Sequence, residues 1–338
     1  MATKGTVLVV DDQAANLEAL ADALNPLGYE VWQALDGEAG LELARERQPD
    51  VILLDVMMPG LDGYEVCRRL KSDQDTRLLP VVFLTGLDSR EARLQGLEAG
   101  ATDFLSKPFE LVELEVRVRN LVHFRRLTQD LDDAEQMLFA VARAVEARDE
   151  VTGDHCDRLS VVASRLGERL GLDDDSLKAL RRAGYLHDIG KIAIPDAILL
   201  KPGRLTQDEW KVMRSHVNIG VEICTPLRSL KPVLPIIRHH HERADGSGYP
   251  DRLRGESIPL LARVFQVVDV FDALTSNRPY RKALTSTAAF ATLREEVHKG
   301  WWDERIVATF AAMIEEVDPL DSHTPTPIEP QALAGGRL

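Results

Sequence analysis

The chain has 338 residues, of which 44% are hydrophobic and 28% are charged, values that are ordinary for a globular protein of more than one domain. Its formal net charge of −14 argues against broad binding to DNA or to anionic membranes. Three scattered cysteines, no apolar run of the roughly 20 residues that span a bilayer, and an N-terminal apolar run too short for a signal peptide predict a cytoplasmic protein without disulfides.

Short apolar segments alternate with helical patterns through residues 1–122. The predicted strands are TVLVV, YEVWQA, DVILLD, PVVFLT and a fifth in DFLSKPF, and they lead to helices predicted from Asn16, Glu38, Tyr64, Arg90 and the end of DFLSKPF. This alternation is typical of a parallel sheet with helices on its faces. We therefore predict a doubly wound α/β domain with five parallel strands. Its functional crevice is expected at the carboxyl ends of the strands.

Those strand ends carry three carboxylates, a hydroxyl and an amine. The residues are Asp11 and Asp12 after the first strand, Asp55 after the third, Thr85 after the fourth and Lys107 after the fifth. Carboxylate oxygens suit Mg²⁺, and Asp55 could then attack a phosphoryl donor while Lys107 and Thr85 contact the phosphate oxygens. Acids and lysines also end strands because loops are polar, but five chemically matched residues at these ends favour a site.

With DVMMPGLDGYE around Asp55 and Lys-Pro at 107–108, this segment resembles the receiver domain of two-component response regulators. The resemblance implies a flavodoxin-like fold with a Mg²⁺ site and phosphorylation of Asp55 by a cognate histidine kinase. It also places Phe104 where the family keeps a switch aromatic that follows the threonine. A core residue on a short strand explains Phe104 equally well.

A long helix is predicted between residues 109 and 150, where neither Pro nor Gly interrupts the chain. Six apolar residues there repeat in steps of four and three, as in a coiled-coil seam: Leu127, Leu131, Ala134, Leu138, Val141 and Val145. The seam predicts a homodimer, although one amphipathic helix packing on its own domain fits the pattern as well. We interpret residues 123–137 as a helical linker to a second domain at 138–318, followed by a Pro-rich, disordered tail at 319–338.

Most of the nine histidines lie in this second domain, where several helices each contribute one or two polar residues from an otherwise apolar face, and six of these histidines are candidates for a shared site. They are His155 in TGDH, His187 before Asp188 at a helix end that Gly190 can terminate, His216 on a helix opened by the capping box of Thr206 and Glu209, and His239, His240 and His241 at a segment end, with Asp269 in QVVDVFDAL. Buried imidazoles and carboxylates need partners. Lone core histidines are common, but this many together favour a shared metal centre.

Lys191 indicates what kind of molecule binds at that metal centre. It lies three residues after Asp188, so a continued helical turn would bring it near the proposed ligands. A lysine there would repel a metal cation, and its presence makes sense if an anion such as a phosphate binds over the metals.

HDIGK and HHERADGSGYP resemble motifs of the HD-GYP family, a branch of the HD metal-dependent phosphohydrolases, and the resemblance extends from about Leu138 to Val317. It implies an all-α domain with two metal ions. By resemblance, one ion would be held by His155, His187, Asp188 and Asp269, and Asp188 would bridge to a second ion completed by His216, His240 and His241. His239 is then the spare histidine.

The number of ions is predicted from one departure from the family pattern. Members with three metals carry a glutamate four residues before the first histidine, where this chain has Val151, and Glu150 is one position off register. We therefore expect two ions, and the ligand types suit Fe, Mn, Ni, Co or Zn.

The resemblance further implies hydrolysis of cyclic di-GMP to pGpG, GMP or both. Two metals can activate water and neutralise phosphoryl charge, with Lys191 on a phosphate oxygen. Tyr249, Arg278 and Arg281 match positions that contact substrate in the family, although surface charges explain both arginines equally well. Gly246 and Gly248 permit positive φ in the turn that presents Tyr249. The alternatives are an interaction module with little turnover, or an HD phosphohydrolase acting on another nucleotide. No basic recognition helix follows the receiver, so we expect no DNA-binding output.

Overall fold

The computed structural model describes residues 3–86, 90–149, 154–277 and 282–317. It divides into two compact units, Met1–Glu135 and Gln136–Leu338, so the predicted limits at 122 and 138 bracket the division. Glu150, Val151, Arg278, Arg281 and the predicted tail lie outside the described residues. Among the described helices, none is long and apolar enough to cross a membrane.

The first unit is built on a parallel sheet with the strand order β2-β1-β3-β4-β5. Its strands are β1 Gly5–Val10, β2 Tyr29–Ala34, β3 Val51–Asp55, β4 Val81–Thr85 and β5 Asp103–Ser106. The helices that follow them are α1 Ala14–Leu24, α2 Gly37–Arg47, α3 Gly63–Ser72, α4 Arg90–Glu98 and α5 Leu111–Glu146. This strand order is the flavodoxin-like form of the doubly wound fold, and the predicted fold class is confirmed.

Alternation along the strands builds one core on each face of the sheet. Leu8, Ile52 and Phe83 are buried in one core, whereas Val7 and Leu53 are buried in the other. Side chains of a strand point alternately to opposite faces, so strands covered by helices on both sides read as continuous apolar runs. This is why the strands could be recognised in the sequence, and it brings their polar ends to one edge.

The long helix is present as α5, which covers 36 residues. The predicted coiled-coil seam divides along it, because Leu127 and Leu131 are exposed whereas Val145 is buried. Leu138 packs against the core of the second unit. The prediction that the whole seam faces a second chain is therefore wrong for Leu138 and Val145, which are already used by their own domain.

The described regular elements of the second unit after α5 are all helical, as predicted. They are α6 Asp154–Arg169, α7 Asp174–Leu186, α8 Asp196–Leu199, α9 Gln207–Arg214, α10 His216–Cys224, α11 Leu234–His239, α12 Leu260–Thr275, α13 Ser286–His298 and α14 Glu304–Val317. Helix α12 packs against α6, α7, α11, α13 and α14 and buries Val264, Phe265 and Val268 in the core. This central position sets Asp269, one residue further, beside the ends of α7 and α11.

Candidate functional site

The seven predicted metal ligands meet in the second unit and fall into two groups. In each group the ligand atoms lie within 4.8 Å of one another, and the groups are Asp188 with His216, His240 and His241, and His155 with His187 and Asp269. A cavity of about 600 Å³ opens beside them. The two groups contain the ligands predicted for the two ions, except that Asp188, predicted for both, belongs to the first group alone.

Asp188 lies between the two groups and offers one oxygen to each. Its Oδ2 is 3.2 Å from His187 Nε2, and its Oδ1 is 3.1 Å from His216 Nε2 and 3.7 Å from His240 Nε2. The side chain is buried. A carboxylate placed in this way can bind a different ion with each oxygen, which is the geometry that a bridging ligand needs.

Hydrogen bonds at Nδ1 orient two of the imidazoles so that their Nε2 atoms face Asp188. His216 Nδ1 lies 2.7 Å from the carbonyl oxygen of Met213, and His240 Nδ1 lies 2.9 Å from that of Ile237. A carbonyl can only accept, so Nδ1 carries the proton and Nε2 keeps its lone pair. The sequence arranges this locally, because each carbonyl lies three residues before its histidine, within one helical turn.

Several of these buried atoms have no hydrogen-bond partner in the described part of the chain. They are His187 Nε2, Asp188 Oδ1, His216 Nε2, His240 Nε2 and Glu146 Oε1. Lone pairs of imidazole and carboxylate face one another here, and such an arrangement needs a cation between them. Imidazole and carboxylate donors bind divalent transition metals, so the residues fit the predicted centre.

Burial and neighbouring charges set the protonation of the ligands. Burial lowers the pKa of His240, and burial together with the neighbouring His240 holds the pKa of His241 well below its usual value. Both rings are therefore neutral near pH 7 and can bind a metal. Burial opposes protonation of His187, but the neighbouring Asp188 carboxylate outweighs it and raises the pKa of His187 to about 9.

A 3₁₀ turn at Ile189–Ala193 returns Lys191 to Asp188. The backbone N–H of Lys191 donates to the carbonyl of Asp188 at 2.9 Å, and Lys191 Nζ lies 2.9 Å from Asp188 Oδ2. Gly190 does not terminate α7, which ends at Leu186. A Cβ on Gly190 would lie 1.9 Å from the carbonyl oxygen of His216, so this glycine allows α10 to approach the turn closely.

The predicted Tyr249 turn is anchored by Glu242, the acid that follows the three histidines. Its fully buried carboxylate accepts hydrogen bonds from the backbone N–H groups of Asp251 at 2.7 Å and Leu253 at 3.1 Å. The Tyr249 ring then stacks on His241, with centroids 4.8 Å apart. Of the two turn glycines, Gly246 has a φ of +82° as predicted.

The other glycine of this turn, Gly248, is needed for a different reason from the one predicted. A Cβ at Gly248 would lie 2.4 Å from the Cα of Glu242, and its φ is not among the positive ones. Close packing of the turn on the histidine segment therefore requires this glycine.

Two further positions differ from the sequence interpretation. The capping box of Thr206 and Glu209 is present at the start of α9, but His216 begins the next helix, α10, because Ser215 separates the two. His239 is directed away from the other imidazoles, and its Nδ1 lies 3.5 Å from Asp251 Oδ2. The structure therefore places His239 outside the two ligand groups.

Sequence reasoning missed a carboxylate that orients His155. Asp272 Oδ2 lies 2.7 Å from His155 Nδ1, and Arg158 donates to both Asp272 oxygens at 2.6 and 3.0 Å. Burial opposes ionisation of Asp272, but these two partners lower its pKa. A carboxylate behind a ligating histidine fixes the ring and increases its basicity. The sequence signal for Asp272 was its position three residues after Asp269, which places both acids on the same side of α12.

Sequence reasoning also missed Arg214, whose guanidinium packs against two aromatic rings that line the cavity. The Arg214 guanidinium lies 5.0 Å from the Tyr249 ring centroid and 5.5 Å from that of Trp210, and all three residues line the cavity. No described carboxylate forms an ion pair with Arg214. A guanidinium held in this way is available to an anionic or aromatic ligand.

In the first unit, the predicted phosphorylation residues meet at the carboxyl edge of the sheet. Lys107 Nζ lies 2.6 Å from Asp55 Oδ1 and 3.0 Å from Asp11 Oδ2. Asp12 Oδ1 is buried and has no hydrogen-bond partner among the described residues, so these hard oxygen donors fit Mg²⁺. Burial, partly offset by Lys107, raises the pKa of Asp55. Thr85 ends the neighbouring strand and is buried.

Phe104 occupies an inward position on β5. Its ring centroid lies 5.8 Å from that of Phe83, and the side chain packs against one of the two sheet cores. The core interpretation describes this arrangement, and the switch role stays a prediction.

A doubly wound sheet whose carboxyl edge carries acidic residues and a lysine, followed by a helical domain with a histidine-lined cavity, is typical of a response regulator with a metal-dependent output domain. The receiver domain description of response regulators matches residues 7–119, and the HD domain description matches residues 134–306. The chain belongs to the HD-domain family, as a member with an N-terminal receiver domain. Both predicted family resemblances are confirmed.

The chain is also similar to individual proteins over most or part of its length. The chain is 40% identical over 313 residues to the cyclic di-GMP phosphodiesterase response regulator RpfG of Xanthomonas campestris, covering 85% of this chain and 82% of that protein. It is 34% identical over 342 residues to a cyclic di-GMP phosphodiesterase of Thermotoga maritima, covering 92% and 91%. A 3'3'-cGAMP-specific phosphodiesterase of Vibrio cholerae is 40% identical over 168 residues, 49% of this chain and 31% of that protein.

Proposed function

We propose that this protein is a phosphorylation-regulated phosphodiesterase that hydrolyses cyclic di-GMP at a centre of two divalent metal ions. The observation that supports the proposal most strongly is the position of Asp188, whose two oxygens face two separate groups of imidazole ligands. The names of the relatives that match over most of the chain agree with this substrate.

One ion would be held by His155, His187, Asp188 and Asp269, and the other by Asp188, His216, His240 and His241. When bound, such a pair of ions supplies activation of water and neutralisation of phosphoryl charge. The ligand set suits Fe, Mn, Ni, Co or Zn.

The protein groups around the centre bind the substrate and its developing charge. Lys191 Nζ lies beside Asp188 with only 14% of its side chain exposed, so its positive charge acts in a poorly solvated region, where it would stabilise a phosphate oxygen bound over the centre. Arg214 and Tyr249 also line the cavity and suit a second phosphate or a guanine base. Arg278 and Arg281 remain proposed substrate contacts on the basis of the sequence.

Opening one phosphodiester bond of cyclic di-GMP gives linear pGpG, and a second cleavage gives GMP. The similarity to a cGAMP-specific phosphodiesterase makes 3'3'-cGAMP a second candidate substrate, since both nucleotides present the same pair of phosphodiesters. The guanine contacts at the cavity wall would decide between them.

The receiver domain would regulate this activity in the cytoplasm. A cognate histidine kinase would phosphorylate Asp55 with Mg²⁺ held by Asp11 and Asp12, while Lys107 and Thr85 contact the phosphate. We further propose a homodimer that covers the exposed apolar side chains of Phe124, Leu127 and Leu131, which lie on one stripe of α5.

The test of the activity measures turnover of purified protein, loaded with Mn²⁺ or Fe²⁺, on cyclic di-GMP and on 3'3'-cGAMP. We expect chromatography to show pGpG or GMP, with loss of turnover on chelation and restoration on adding back metal. Release of no nucleotide from either substrate by the metal-loaded protein would contradict the proposal. Faster cleavage of 3'3'-cGAMP would replace the proposed substrate while leaving the metal centre intact.

A further inference from the structure

Glu146 lies at the metal centre, although neither its sequence context nor the predicted ligand set assigns it there. It occupies the last turn of α5, and only 4% of the residue is exposed. Its carboxylate oxygen groups with the ligand atoms of His187 and Asp188 within 4.8 Å. A buried acid in this position needs a positively charged or hydrogen-bonding partner.

The protein itself provides Glu146 with little compensation. Its Oε1 accepts no hydrogen bond from the described residues and lies 3.9 Å from Lys191 Nζ, whereas the same ammonium is 2.9 Å from Asp188. The other unpartnered atoms around Asp188 are the Nε2 atoms of His187, His216 and His240, with Asp188 Oδ1. Glu146 Oε1 therefore shares the property that marks the predicted ligands.

The balance of charge at the site also favours Glu146 as a metal ligand. Glu146, Asp188 and Asp269 all line the cavity, where Lys191 is the cation next to them. A buried carboxylate without a partner strongly destabilises the folded protein, and two divalent cations would offset three carboxylates.

We propose that Glu146 is an eighth ligand of the metal centre and binds the ion that His187 and Asp188 hold. This inference rests on the proposed two-ion centre and adds a ligand that no motif in the sequence indicates. It also means that the helix that begins in the receiver domain ends on a metal ligand.

The experiment titrates Mn²⁺ alone into metal-stripped, full-length protein by calorimetry and records melting temperatures with and without Mn²⁺. It compares wild type, Glu146→Gln and Glu296→Gln. Glu296 is a matched control, because it lines the same cavity but accepts a hydrogen bond from Trp302 Nε1 at 2.7 Å. Should Glu146→Gln fail to fold, Glu146→Asp keeps the charge and shortens the reach.

We expect Glu146→Gln to weaken at least one Mn²⁺ binding step by about 10-fold or more, the lower range for groups that only support metal ligands. Glu296→Gln should bind as wild type does. The metal-stripped Glu146→Gln protein should melt no lower than wild type, because the change removes an uncompensated buried charge.

Unchanged Mn²⁺ affinity in the Glu146 variants would overturn the inference, as would equal weakening in Glu296→Gln, which would indicate a general charge effect. A lower melting temperature of metal-stripped Glu146→Gln with unchanged affinity would assign Glu146 a structural role instead. If wild type itself binds no Mn²⁺, the proposed centre fails, and that result is distinct from failure of the Glu146 assignment alone.

Discussion

Replacing Lys191 with alanine is expected to abolish most turnover while leaving the metals bound. The ammonium lies 2.9 Å from Asp188 Oδ2 with 14% of the side chain exposed, so a phosphate oxygen over the centre would meet it at similar range in a poorly solvated region. Two unit charges about 4 Å apart at an effective dielectric constant of about 20 interact by about 4 kcal/mol. Loss of one such contact typically costs about 3 kcal/mol, so kcat should fall about 100- to 1000-fold.

The assay measures steady-state hydrolysis of cyclic di-GMP and metal content by mass spectrometry on the same samples. Lys201→Ala is the matched control, because Lys201 also loses an ion pair, with Glu209 at 2.7 Å, but does not line the cavity. Lys191→Arg should retain part of the activity, since it keeps the charge in a different shape. A normal kcat for Lys191→Ala with both metals present would refute the proposed contact with the transition state.

Three further experiments test the bridging role of Asp188, the contact between Asp272 and His155, and regulation by the receiver domain. Asp188→Ala should remove both metal ions, whereas His239→Ala should keep them, as measured by mass spectrometry; full occupancy in the first variant would exclude the bridging assignment. Asp272→Asn should weaken metal binding about 10- to 100-fold by releasing His155, and an unchanged calorimetric affinity would show that the Asp272 contact is dispensable. Beryllofluoride, a phosphate mimic, should alter turnover and sedimentation of wild type but not of Asp55→Asn, with activation as the expected direction; no change in wild type would mean that receiver and output are uncoupled under those conditions.

The first domain could be predicted from its sequence because its strands are buried on both faces. Continuous runs such as VILLD and VVFLT mark each strand, and chain connectivity brings their ends to one edge of a parallel sheet. The positions of Asp55 and Lys107 at that edge follow directly. The contact of Lys107 with both Asp11 and Asp55 required side-chain geometry that no local pattern contains.

The proposed metal ligands could be selected from the sequence because each stands in a short, ordered motif. Glu146 left no such signal and Asp272 only its spacing from Asp269, since the contacts of both depend on folding that joins distant helices. Glu146 comes from the end of α5, where the sequence shows only an amphipathic helix. Asp272 is matched to His155 and Arg158 across the packing of α6 on α12.

Two glycines were identified in the sequence, but the structural reason for each differs from the predicted one. Gly190 was expected to end a helix, the usual local reason for a glycine, but it is required by the approach of the His216 carbonyl from α10. Gly248 was expected to supply positive φ and is instead required by packing on Glu242. Tertiary contacts of this kind have no signature in the sequence around the glycine.

The most direct test of the central claim is an anomalous-diffraction map from crystals of the Mn²⁺-loaded protein. We expect two peaks on either side of Asp188, one beside His216, His240 and His241, and the other beside His155, His187 and Asp269. A single peak, or two peaks that do not share Asp188, would contradict the two-ion centre on which the proposed hydrolysis depends.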